Sequence, residues 1–108
     1  MVYKIYQLNY HNQNVIRDHK MYEGWEMLNK TAGFSMWDYE KVYEGETNLD
    51  EKFDNITILE NLFAKFNLDH PEDFHGHSLS VSDVVDLDGT LYYCDDYGWV
   101  NTKTGKNV

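Results

Sequence analysis

Hydrophobic and polar residues alternate from Val2 to Tyr10, in a stretch rich in Tyr and Ile, and this period of two predicts a first strand. Tyr6, Leu8 and Tyr10 fall on one face of it, Tyr3 and Ile5 on the other. From His11 to Lys20 the chain is polar and weakly patterned. Spacing then turns helical over Tyr22 to Lys30, with Trp25, Leu28 and Asn29 on one side and Gly33 placed to end the helix. Alternation returns between Asp38 and Glu46 and predicts a second strand. In strict period-two geometry Asp38, Glu40, Val42, Glu44 and Glu46 share one face, opposite Tyr39, Lys41 and Tyr43. Four carboxylates on one face must see water or a cationic partner.

The clearest helical segment runs from Ile58 to Asn67. Leu59, Leu62, Phe63 and Phe66 trace a core-facing stripe, and Thr57 followed by Glu60 has the form of a capping box. Pro71, with Glu72 and Asp73 after it, suits the first turn of another short helix that Gly76 would stop. Ser80 and Asp83 repeat the capping spacing ahead of Val84. Asp88-Gly89, between the β-rich runs 84–87 and 90–94, is a pair favoured in two-residue hairpins. A further turn at Asp95 to Gly98, a last short strand at Trp99-Val100 and a frayed polar tail over 101–108 complete the pattern. The resulting order, β-α-β-α-β-β, predicts an α+β fold: a single compact domain over residues 1–100, its sheet mostly antiparallel and its helices packed on one face.

Composition agrees with one core. The 108 residues are 42% hydrophobic and 16% aromatic, too apolar for a disordered chain. A single cysteine, Cys94, rules out an internal disulfide and any multi-cysteine zinc site. No apolar run approaches the ~20 residues of a spanning helix, and Met1 leads straight into the first strand without a basic-then-apolar leader. A cytoplasmic location is therefore expected.

Charge changes the picture more. Nineteen Asp and Glu oppose nine Lys and Arg, a formal net charge of -10, which repels nucleic acid and anionic membranes and favours basic partners. Seven of the acids lie between Asp38 and Asp54, against Lys41 and Lys52.

Candidate chemistry is sparser. His70, Glu72, Asp73, His75 and His77 are residue types that zinc or nickel accepts, but their loose spacing on a turn reads as cap and turn chemistry, and no metal or other cofactor is expected. A ribonuclease built on His75 and His77 would carry a field that repels RNA. Asp86, Asp88, Asp95 and Asp96 lack the register of a calcium loop. Cys94, inside an aromatic strand, reads as a buried thiol. No grouping makes a catalytic site.

The run His70-Pro71-Glu72-Asp73-Phe74-His75-Gly76-His77-Ser78-Leu79-Ser80-Val81-Ser82-Asp83-Val84-Val85 resembles YodL-like domains. So do Tyr92-Tyr93-Cys94-Asp95 and, upstream, Tyr39-Glu40 and Phe63 to Phe66. The resemblance implies a small bacterial α+β domain of the kind encoded on conjugative and prophage-like elements, where antirestriction and anti-CRISPR proteins also occur. It supplies no active-site residue.

Charge and resemblance together predict a non-enzymatic, acidic protein-binding inhibitor from a mobile element. Its expected target is a host protein with a basic surface, an RNA-guided CRISPR nuclease or a restriction enzyme, blocked where it holds nucleic acid. Neither nucleic acid nor membrane would be touched directly. Asp38, Glu40, Glu44, Glu46, Asp50 and Glu51 are the expected binding residues, with Tyr43 as an anchor. Two alternatives stand beside this: a modulator of the actin-like cell-shape machinery, which the resemblance also implies, and a metal-dependent or ribonuclease-like enzyme using the 70–77 cluster.

Overall fold

The computed structural model describes residues 1–48 and 53–108. In chain order its elements are β1 (Val2–Leu8), α1 (Gln13–Arg17), α2 (Trp25–Lys30), a 3-10 turn (Met36–Asp38), β2 (Tyr39–Glu46), α3 (Asn55–Leu68), β3 (Val84–Leu87), β4 (Thr90–Cys94), β5 (Trp99–Asn101) and β6 (Lys106–Asn107). The six strands form one sheet in the order β2-β1-β3-β4-β5-β6, antiparallel at every pairing. The fold is α+β. The chain's first strand lies inside the sheet, and the eight-residue β2 forms an edge.

Residues alternate in and out of two cores. Ile58, Leu59, Leu62 and Phe66 of α3 pack with Tyr3, Ile5, Val85, Leu87, Tyr92, Cys94 and Trp99 on one face. On the opposite face Leu28 of α2 meets Val84, Tyr93 and Val100, with Trp25, Phe34 and Tyr39 partly buried around them. Helices therefore cover both faces, not the single face expected. The cause lies in β3 and β4: Val84-Val85 and Tyr92-Tyr93 put apolar groups on both sides at once, and each side must be shielded from water.

Three local expectations change. α3 begins at Asn55, because Asp54 rather than Thr57 caps it. The Asp54 Oδ1 accepts the Thr57 backbone N–H at 3.0 Å and its hydroxyl at 2.6 Å, which satisfies a free donor of the first turn. No helix follows Pro71, where the chain makes only a turn with the Phe74 N–H donating to the Pro71 carbonyl at 3.0 Å. Residues 101–108, expected to be a frayed tail, carry backbone pairing. β6 pairs with β5, the Thr102 N–H donates to the Leu91 carbonyl at 3.0 Å, and the Val108 N–H donates to the Trp99 carbonyl at 3.1 Å.

The β3–β4 hairpin is as expected. Asp88 (φ 50) and Gly89 (φ 96) both take positive φ, as a two-residue turn matched to strand twist requires.

Candidate functional site

The acidic segment at the sheet edge is set by register. Lys4 pairs with Glu44 and Ile5 with Tyr43, but Tyr6 pairs with Lys41, so Val42 is left over and β2 carries a bulge. Partners across an antiparallel ladder share a face. Glu44 and Glu46 thus lie on the side of Lys4 and Val2, whereas Glu40, opposite Gln7, lies on the side of Tyr3 and Ile5. The single face of four carboxylates expected from strict alternation is divided by one extra residue.

Asp38 departs further from expectation. It precedes β2 in the 3-10 turn, is buried, and forms an ion pair with Lys20 at 2.5 Å. Lys20 also donates to the Gly33 carbonyl at 3.2 Å, so this carboxylate secures the connection between α1 and β2 instead of facing a partner. Asp50 and Glu51 lie outside the described residues.

The remaining acids are not equivalent. Glu44 accepts from Lys41 at 3.0 Å, and that contact holds its carboxyl below the usual range. Glu40 and Glu46 are exposed. Their carboxylates make no hydrogen bond or ion pair among the described residues. Tyr43 is half-buried, its ring edge-on to Phe66 at 5.2 Å and its hydroxyl donating to Asp73 at 3.1 Å. Burial first, then Asp73, pushes that hydroxyl's pKa up. The residue braces β2 against the loop after α3.

Beside the bulge lies a surface groove of about 390 Å³ whose walls include Gln7, Tyr10, Glu40, Lys41, His75 and His77. Gln7, buried on the core-facing side of β1, organises its inner wall. Its amide donates to the His77 carbonyl at 2.8 Å and to Asp83 Oδ2 at 3.1 Å, and its Oε1 accepts the His77 N–H at 3.2 Å. Gly76 allows this approach, since a Cβ there would sit 2.5 Å from Gln7 Oε1 and 2.9 Å from the Phe74 ring.

Asp83 is 1% exposed and accepts the Ser80 N–H at 2.9 Å. Burial pushes its carboxyl up to about 7. Ser82, at φ 85, ties three segments together. Its hydroxyl accepts the Tyr22 N–H at 3.1 Å, its carbonyl accepts the Tyr39 hydroxyl at 2.6 Å, and its N–H donates to the Cys94 carbonyl at 3.0 Å. The capping spacing read at Ser80 and Asp83 is present, but it closes a loop onto β3 and opens no helix.

His77 Nδ1 lies 2.7 Å from the Ser78 carbonyl, and Nε2 is buried 3.8 Å from Asp83 Oδ1. The buried Nε2 is therefore not presented to the groove, where a general base would have to meet its substrate. Burial pushes the Cys94 thiol up to about 12, far from the thiolate a nucleophile requires. Among the described residues no three His, Cys, Asp or Glu side chains are grouped to hold a metal ion, and no helix is long and apolar enough to cross a membrane.

Two features escaped the sequence reading. Gln7 carried a signal, a polar residue in phase with Tyr3 and Ile5. The Lys20–Asp38 pair carried none, because its partners come from a weakly patterned stretch and from the margin of a strand.

A family model described as a YodL-like domain matches residues 2–103 of the chain. No curated protein and no solved structure matches it.

Proposed function

From the premise that the chain belongs to the YodL-like domain family, we propose that it is a non-enzymatic acidic binding domain that occupies the nucleic-acid-holding surface of a host defence nuclease. The observation that carries this reading is the edge of the sheet. β2 pairs with no strand on its outer side among the described residues, and its bulge sends Glu40 to one side of that edge and Glu46 to the other. Both carboxylates are solvated and uncompensated on a chain of formal charge -10. Bulges and charges also protect edges from aggregation, but a Lys-rich edge protects equally well, whereas an acidic one selects basic partners. Duplex DNA presents about one negative charge per ~1.7 Å, and a basic channel built to hold it attracts a protein of this charge by the same force. An RNA-guided CRISPR nuclease or a restriction enzyme from the host is the partner of this chemistry.

The test is cleavage of duplex DNA by a purified RNA-guided nuclease, and separately by a restriction enzyme, with rising amounts of the chain. At least one of the two should be inhibited, and inhibition should fade as salt rises from ~50 to ~500 mM, which shortens the screening length severalfold. Glu40→Lys with Glu46→Lys should abolish inhibition while leaving the circular dichroism spectrum unchanged. Inhibition that survives both the salt and the double reversal would remove the electrostatic basis of the reading. Uninhibited cleavage by both enzymes would remove the target.

A further inference from the structure

The loop that walls the groove closes over three buried polar atoms without a hydrogen-bond partner: His77 Nε2, Ser80 Oγ and Asp83 Oδ1. Counting donors around them locates a proton. The two amide hydrogens of Gln7 are taken by the His77 carbonyl at 2.8 Å and Asp83 Oδ2 at 3.1 Å, so its 3.3 Å approach to His77 Nδ1 has no hydrogen left to give. The Ser78 carbonyl, 2.7 Å from Nδ1, can only accept. Nδ1 must therefore carry a hydrogen.

A neutral ring then turns a bare Nε2 toward an equally bare carboxylate oxygen 3.8 Å away. Two buried acceptors facing each other with no hydrogen between them are unfavourable. One added proton resolves the conflict, on the ring or on the carboxyl, because either placement puts a donor between Nε2 and Oδ1.

We propose that His77 and Asp83 hold one shared proton that latches the 75–83 loop, and that its loss to solvent switches the wall of the groove. Once it leaves, the ring can bond Asp83 through Nε2–H only by giving up Nδ1–H to Ser78, so one of the two contacts breaks. The other ionisable groups that face Asp83 take no part near neutral pH. Tyr10, just beyond β1, Tyr39 of β2, and Tyr93 and Cys94 of β4 are all kept protonated, each chiefly by burial. The burial that moves the Asp83 carboxyl to about 7 places loss of the shared proton near neutral pH, and the transition belongs to the pair and not to either residue.

Ring nitrogen and side-chain carboxyl carbon spectra of the intact chain, followed by NMR from about pH 5 to 9, test this across the range where histidine changes charge. Both His77 nitrogens, the Asp83 carboxyl carbon and the backbone amides of 76–80 should move in one joint transition. Asp83→Asn should displace the transition seen at the His77 ring nitrogens. If that variant fails to fold, His77→Gln should displace the Asp83 transition equally. A His77 ring that titrates alone while the Asp83 carboxyl stays unchanged would overturn the proposal. So would substitution of either residue leaving the other's transition in place.

Discussion

Replacing Asp38 with Ala would leave the Lys20 ammonium buried with only the Gly33 carbonyl for company. Lys20 and Asp38 expose only 7% and 4% of their side chains, and breaking such a pair from one side costs about 3–5 kcal/mol, because a buried charge loses its compensation. Urea denaturation of Asp38→Ala should show that loss, and Lys20→Met with Asp38→Leu should recover much of it. If Asp38 were instead a surface charge, the single change would stay within ~0.5 kcal/mol. Asp83 gives a prediction in pH. Its folded carboxyl, moved by burial to about 7, lies above its unfolded value, so the folded state binds the extra proton. The associated stability is fully present below the ordinary carboxylate range, declines as pH rises from about 4, and is gone above about 7. Such a displacement corresponds to at most about 4 kcal/mol. Carboxylates held low by partners, such as Asp54 beside Thr57, slope the other way. The quantity to measure is therefore the stability difference between the chain and Asp83→Asn across this range, which should shrink as pH rises.

The element that carries most of the larger core is α3. Leu62 is 2% exposed and Phe66 fully buried, the latter in contact with the rings of Tyr3, Tyr43 and Phe74. Truncating either to Ala should cost about 2–5 kcal/mol in denaturant unfolding. A value near zero would mean that α3 does not seal this face. The stripe on α3 was readable because helical spacing is local, and so was the hairpin at Asp88-Gly89, because its turn needs residues that tolerate positive φ. The cap was misplaced by three residues since Asp54 and Thr57 both suit the role, and only the direction in which the chain enters the helix selects between them. The β2 bulge was not readable at all. Val42 continues the alternation in sequence, and it becomes the extra residue only because β1 fixes where the two strands meet.

For the whole molecule, the described chain has a radius of gyration of 13.3 Å, and its sheet extends to Asn107 through the β5–β6 pairing. Deleting residues 102–108 removes β6 together with the Thr102–Leu91 and Val108–Trp99 hydrogen bonds. It should lower stability by about 1 kcal/mol or more, which for a domain of this size is roughly 4–8 °C in thermal midpoint. A frayed tail would leave the midpoint unchanged. The binding reading belongs to this scale as well. Its salt dependence arises from the summed charge of the chain, whereas the loss expected from Glu40→Lys with Glu46→Lys arises from where the edge strand places two of those charges.

By itself the sequence determined the fold class, the apolar stripe of α3, the β3–β4 hairpin and the acidic excess. All of these follow from local periodicity, turn chemistry or a count. Tertiary structure decided which acids face water. It drew Asp38 inward to Lys20, bound Glu44 to Lys41, divided Glu40 from Glu46 across a bulge, and buried Asp83 beneath Gln7 and His77. Apart from the local Lys41–Glu44 contact, those outcomes depend on pairing between segments distant in the chain, and strand register, which sets the face of each side chain, is a property of two strands that neither one encodes alone.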